Sequence, residues 1–179
     1  MNTILINSLA IVFAVSTACN SGETASTGEV QHENHGEMTT SAESGNPQFK
    51  DEKAKNVYQH YIHLKTALVK SDVKEAKAGA EALNKAFSSA GNIKGAALAA
   101  KIASSADLKA QRNNFDVLSA EVEAFIRKAG LKSGKVYKQY CPMAKSGDGA
   151  YWLASESEVN NPYYGDQMLH CGEVTEEIR

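Results

Sequence analysis

The stretch VYQHYIHLKTALVKSD, residues 57–72, decides the fold class of this chain. Its large apolar side chains recur every three or four positions, at Val57, Tyr61, Leu64 and Leu68. That spacing places them on one face of a helix. The Ser71-Asp72 pair that follows predicts a break and the N-cap of a second helix. The sequence therefore predicts that the folded part of the chain begins with helices.

The same reasoning extends the helical pattern to Gly130. No proline occurs between residues 49 and 140 and alanine is abundant there, which favours helix. The second helix is predicted to bury Ala76, Ala80, Leu83 and Phe87, and to end at Gly91-Asn92. The third, over about 93–103, is predicted to turn Ile93, Ala97, Leu98 and Ala100 inward. The fourth is predicted to be capped by Ser104 or Ser105, with the stripe Leu108, Gln111, Phe115, Leu118, Val122, Phe125 and Ile126.

The predicted fold class is mainly α, an antiparallel bundle of about four helices. Short connections between consecutive helices make neighbours antiparallel. After Gly130, turn residues become frequent and only Lys135 to Tyr140 alternates. We therefore expect a small loop-rich C-terminal Cys/Met segment with one or two short strands. The bundle (49–130) and this segment (131–179) are expected to pack together as one domain.

The N-terminus predicts export. Residues 4–15 form an apolar run too short to span a membrane, and small residues lead from it to Cys19. Residues 1–18 are interpreted as a lipoprotein-type signal peptide and Cys19 as the lipidated residue. Plain secretion and a permanent anchor are the alternatives. Localisation is then the bacterial cell envelope, with the chain attached to a membrane through lipid.

Residues 19–48 are predicted to be a disordered tether. They are rich in Ser, Thr, Gly and Glu, and they offer too little apolar surface to form a core. His32, His35 and Met38 lie within this tether and could bind a metal ion weakly, but a polar linker that happens to contain histidine is the favoured interpretation.

Charge and motif content exclude several function classes. The formal net charge is −2, which gives no electrostatic reason to expect nucleic acid. No nucleophile and base stand at a recognisable spacing, so an enzyme is not expected. His60 and His63 are three residues apart on the first helix and could share a metal ion, but partly exposed helix positions are the favoured interpretation.

Two sulfur-rich clusters carry the chemistry: Cys141-Pro142-Met143 and Met168-Leu169-His170-Cys171. Thiolate and thioether ligands select Cu(I) over hard cations. Two Cys with two Met, or two Cys with one Met and His170, would make a closed soft site. The alternative is a Cys141–Cys171 disulfide, which would stabilise the segment by roughly 3 kcal/mol. A disulfide leaves the flanking methionines unexplained.

Other sites of this kind fit less well. Zinc prefers four Cys or His ligands, and the clusters supply only two cysteines and one histidine. The Cys-x-x-Cys spacing of redox pairs and the Cys-x-x-Cys-His spacing of haem attachment are both absent from the sequence.

The longest motifs resemble a known family. Residues 136–144 (VYKQYCPMA), 149–153 (GAYWL) and 161–172 (NPYYGDQMLHCG), together with the helical pattern from Tyr58 to Asp72, resemble DUF3347. Members of that family are envelope proteins, chiefly of Bacteroidota, and some are fused to periplasmic adaptors of copper and silver efflux systems.

The resemblance implies a Cu(I) or Ag(I) binding protein that buffers the metal or delivers it to an efflux adaptor or another envelope protein. By position, the resemblance implies that the metal ligands are Cys141, Met143, Met168 and Cys171. His170 stands where a small polar or basic residue is expected, so the resemblance does not carry the role to it.

Overall fold

The computed structural model describes residues 46–179. Four helices are followed by short antiparallel strands in the C-terminal region, which confirms the predicted mainly-α class. In chain order the elements are β1 (Gln48–Phe49), α1 (Glu52–Val69), α2 (Val73–Ser89), α3 (Ile93–Ala103), α4 (Leu108–Ala129), β2 (Leu131–Ser133), β3 (Val136–Cys141), β4 (Ala150–Ala154) and β5 (Glu173–Ile178). The predicted leader, Cys19, His32, His35 and Met38 lie outside the described residues.

Every helix begins at an Asp or Asn whose side chain accepts a hydrogen bond from the first turn. The N-caps are Asp51, Asp72, Asn92 and Asp107. Such a cap stabilises a helix by about 1 kcal/mol. The prediction for Asp72 is confirmed. The prediction of Ser104 or Ser105 for the fourth helix is wrong, because the Asp107 carboxylate accepts from the amide of Ala110 and starts α4 later.

The core forms where α1 meets α4. Tyr61 on α1 and Phe115 on α4 are both fully buried, and their rings stack with centroids 5.3 Å apart. The predicted buried stripes of α1 and α2 are present, and that of α4 is present with Leu108 and Phe125 only partly buried. Of these helices, α1 and α4 contact the C-terminal region.

The predicted orientation of α3 is wrong for three of the four residues expected to face inward, while Leu98 is partly buried against the core. Ile93 is 85 % exposed, and Ala97 and Ala100 are exposed as well. The buried face instead carries Gly95, Ala96, Ala99, Ile102 and Ala103. A Cβ built on Gly95 would lie 2.6 Å from the Phe87 ring, so the small residue lets α3 approach α2 on this face.

The C-terminal region contains more strands than the one or two predicted. β1 and β2 pair antiparallel, and a separate antiparallel sheet has the order β4-β3-β5. β4 is an edge strand that lies beside the helices. The Leu153 amide on β4 donates to the Tyr61 hydroxyl at 2.9 Å, so an α1 side chain satisfies an amide of the sheet edge.

None of the helices within residues 46–179 is long and apolar enough to cross a membrane.

Candidate functional site: a paired-thiol cluster

Cys141 is held by the central strand of the sheet. It is the last residue of β3, it pairs with Ala150 on β4, and it is completely buried. The ladder fixes its backbone, so only its side-chain rotation is free. The first sulfur cluster is therefore anchored on a rigid element rather than on a loop.

Cys171 approaches from the loop that precedes β5. A short 3-10 turn, Gly165–Gln167, leads into a second turn in which the Cys171 amide donates to the Met168 carbonyl at 3.0 Å. Cys171 is partly exposed, and its Sγ lies 2.9 Å from the Sγ of Cys141. The two cysteines are not joined by a disulfide bond in the structure. The fold thus brings together two sulfurs that are 30 positions apart in the chain.

Asn161 organises the loop that carries Cys171. It is fully buried, and its Oδ1 accepts hydrogen bonds from the amides of Tyr163 (2.8 Å) and Tyr164 (3.3 Å). Its Nδ2 donates to the Cys171 carbonyl at 2.8 Å, and its own amide donates to the Leu169 carbonyl at 2.8 Å. One side chain therefore ties the start of the loop to its end. The sequence indicates frequent turn residues after Gly130 but gives no sign of the role of the Asn161 side-chain amide.

Gly172 allows the close approach of the two segments. Its φ is +139°, a conformation that side chains with a Cβ rarely adopt. A Cβ at this position would lie 2.6 Å from the Tyr140 carbonyl oxygen and 3.0 Å from the Trp152 ring. Glycine here lets the residue after Cys171 pack directly on the residue before Cys141.

The two methionines lie beside the thiols in the chain and near the surface. Met143 is 52 % exposed, and Met168 is half-buried. The Tyr164 hydroxyl donates to the Met143 carbonyl at 2.5 Å, which connects the segment after β3 to the Asn161 loop. Hydrogen bonds to the Met143 and Met168 carbonyls therefore hold the backbones of both segments, while the Met143 side chain stays accessible.

His170 is directed away from the loop's interior. It is exposed, and its Nδ1 lies 2.9 Å from the Val159 carbonyl oxygen. Because a carbonyl only accepts, Nδ1 carries the proton and Nε2 keeps a lone pair in the neutral ring. That tautomer is the one a metal-binding histidine needs.

The proximity of the sulfurs changes their acidity. The hydrogen bond with Cys141, followed by partial burial, raises the pKa of the Cys171 thiol. Two adjacent thiolates would repel each other, so the second proton of the pair is harder to remove than the first. A soft cation between the sulfurs would remove that repulsion.

Harder ligands do not gather around the thiols. Within residues 46–179, no group of three or more His, Cys, Asp or Glu side chains is arranged to hold a metal ion. His63 lies 2.6 Å from Glu75, which places its imidazole in a surface pair rather than at the thiols.

The comparisons with known proteins identify the helical part of the chain. Residues 57–134 match the model of a family described as a protein of unknown function, DUF3347. This match supports a DUF3347 assignment for residues 57–134 of the chain. The match ends before β3, so Cys141 and Cys171 lie outside the matched residues. No curated protein and no solved structure matches the chain.

Arg112 connects the DUF3347-matched helices to the Cys171 loop. Its guanidinium donates to the Leu68 carbonyl at the end of α1 (2.9 Å) and to the Pro162 carbonyl (2.8 Å). A third bond reaches the Ser71 hydroxyl at 3.0 Å. Partial burial lowers the pKa of Arg112. Sequence patterns gave no signal for this residue, because a single Arg on a helix is ordinarily a surface residue.

Proposed function

We propose that this protein binds Cu(I), or Ag(I), as cargo through the thiolates of Cys141 and Cys171, with Met143 and Met168 as thioether ligands. The observation that carries the proposal is the 2.9 Å separation of the two sulfurs, which come from separate segments. The role is binding rather than catalysis.

The donor set favours a soft monovalent ion. Thiolate and thioether sulfurs select Cu(I), and Cu(I) does not need the four Cys or His ligands that structural zinc takes. Two sulfurs that share a metal through bonds of about 2.3 Å lie about 4 Å apart. The pair must therefore open by about 1 Å, which side-chain rotation of the partly exposed Cys171 can supply. His170 Nε2 is available as an additional ligand if the loop rearranges.

The cellular role follows from context. The expected signal peptide and Cys19 lipidation would place the chain in the bacterial envelope, attached to a membrane. There it would buffer Cu(I) or pass the ion to a copper or silver efflux adaptor or another envelope protein. The exposed Met143 and the partly exposed Cys171 give a partner's ligands a route to the ion.

A second candidate is an interaction module stapled by a Cys141–Cys171 disulfide. The same 2.9 Å separation favours it, because the thiols need only a small movement to bond. In that case the aromatic residues near the cluster would contact an envelope partner, and Tyr151, 45 % exposed, would be the first of them.

An anaerobic competition titration of the reduced chain with Cu(I) and a chromogenic Cu(I) chelator separates the two candidates. We expect one tightly bound equivalent, loss of tight binding in Cys141→Ser and Cys171→Ser, and weaker binding in Met143→Leu and Met168→Leu. The double variant His32→Ala/His35→Ala is the matched control and should bind like the wild type. Equal binding by the wild type and Cys141→Ser would refute the proposal.

A further inference from the structure

We propose that Cys141 and Cys171 form a reversible thiol–disulfide centre that exchanges with external disulfides, in which Cys171 is the entry thiol and Cys141 the resolving thiol. The substrate class is a disulfide, either of low molecular weight or on a protein. The inference that oxidation releases bound metal rests on the proposed function. The exchange reaction itself does not depend on it.

The first argument is the geometry of the pair. The sulfurs are 2.9 Å apart and are not joined by a disulfide bond in the structure. A disulfide bond is about 2.05 Å long, so closure needs a movement of about 0.9 Å. The β3–β4 ladder fixes the Cys141 backbone, and the hydrogen bond from Asn161 fixes the Cys171 carbonyl. Both backbones are therefore held in position, and closure is left to the side chains.

The second argument is the difference in access. Cys141 is 0 % exposed, whereas Cys171 is partly exposed. An external disulfide can reach the Cys171 sulfur from solvent, but it can reach Cys141 only after local opening. Once Cys171 carries the partner, the Cys141 sulfur is the nearest nucleophile. This asymmetry sets the order of the two steps.

The reaction balances without a further reagent. The Cys171 thiolate attacks one sulfur of the external disulfide, whose S–S bond breaks, and one partner thiolate leaves and takes up a proton. The Cys141 thiolate then attacks the Cys171 sulfur, and the second partner thiolate leaves. The two cysteines lose two protons and two electrons to form the internal disulfide. The external disulfide gains them and becomes two thiols.

The consequence for metal handling is direct. An internal disulfide has no thiolate to offer, so the oxidised centre cannot hold Cu(I) through these residues. Exchange with a disulfide partner would therefore release the ion, and reduction would restore the site.

The test uses the full chain carrying Cys19→Ser, so that only two thiols remain, incubated with oxidised glutathione and followed by mass spectrometry. The expected wild-type product lacks two hydrogens and carries no glutathione. Cys141→Ser and Cys141→Ala should each accumulate one glutathione on Cys171. In Cys171→Ser, modification of Cys141 should be at least about tenfold slower, because it awaits local opening.

Three outcomes would overturn the proposal: a wild type that stays reduced, a stable wild-type glutathione adduct, or equal modification rates in the two single-cysteine variants. Circular dichroism of each variant verifies that it is folded, so that an unfolded variant is not read as an accessible one. Cu(I) binding is then measured on the oxidised and re-reduced wild type. If exchange occurs but the reduced protein binds no Cu(I), the exchange stands and the proposed metal function fails.

Discussion

Replacing Asn161 with alanine should cost more stability than any other single polar substitution in the C-terminal loop. The change removes the Oδ1 that accepts from Tyr163 and Tyr164 and the Nδ2 that donates to Cys171. Each buried backbone group that loses its partner costs about 1 kcal/mol or more, so we expect a loss of about 2–4 kcal/mol. With a urea m-value of about 2 kcal/mol/M, the unfolding midpoint should fall by about 1–2 M.

Trp152 supplies the assay. It is the chain's single tryptophan and is fully buried, so its fluorescence reports unfolding of the sheet next to the loop. Measurements under reducing conditions keep the cysteines as thiols. Asn160→Ala is the matched control, because this neighbouring asparagine is only half-buried, and its loss should cost less than about 0.5 kcal/mol. Equal losses in the two variants would refute the organising role of Asn161.

Four further predictions test other parts of the structure. Ile93→Ser should cost less than about 0.5 kcal/mol because Ile93 is 85 % exposed, while Ile102→Ser, fully buried on the same helix, should cost more than about 3 kcal/mol in urea unfolding. Gly165→Ala should lower the melting temperature far more than Gly147→Ala. Both glycines have positive φ, but only at Gly165 would the new Cβ lie 2.6 Å from a backbone oxygen, that of Val69. Arg112→Lys should lower the free energy of unfolding by about 1–2 kcal/mol, since one lysine cannot donate to the Leu68 and Pro162 carbonyls at the same time. Equal unfolding midpoints for this variant and the wild type would contradict the bridging role. Cys141→Ala should speed alkylation of Cys171 near pH 7.5, because removing Cys141 removes the main cause of the raised Cys171 pKa and so increases the thiolate fraction; an unchanged rate would contradict this.

All four helices could be predicted from sequence, but the buried face could be predicted only for the helices with large apolar residues and not for the alanine-rich α3. Tyr61, Leu64 and Leu68 mark one face of α1 without ambiguity. In α3 alanines occur on both faces, so the pattern cannot say which face is buried. The close approach of Gly95 to Phe87 decides it, and that is a tertiary contact. The sequence pattern therefore predicts the wrong face for Ile93.

Strands β4 and β5 could not be predicted from the sequence, for a different reason. An alternating pattern appears only when one face of a strand is buried and the other exposed. β4 is buried along most of its length and β5 is exposed along most of its length, so neither alternates clearly. β3 leads into Cys141 with a readable pattern and was predicted.

The residue types at the candidate site could be predicted from the sequence, but the side chains that position them could not. The sequence singled out Cys141 and Cys171 because sulfur is concentrated around them, and the fold brings these two residues together. The side chains that position the loop, Asn161 and Arg112, act through backbone carbonyls and amides far away in sequence. Such contacts leave no periodicity or spacing to detect.

The most direct test of the copper proposal is X-ray absorption at the copper edge on the reduced chain loaded anaerobically with one equivalent of Cu(I). The proposal predicts an ion in the monovalent state whose nearest neighbours are sulfur only, with fewer sulfurs in Cys171→Ser. Nearest neighbours that are nitrogen or oxygen, or an identical spectrum for the wild type and Cys171→Ser, would contradict a site built on the Cys141–Cys171 pair.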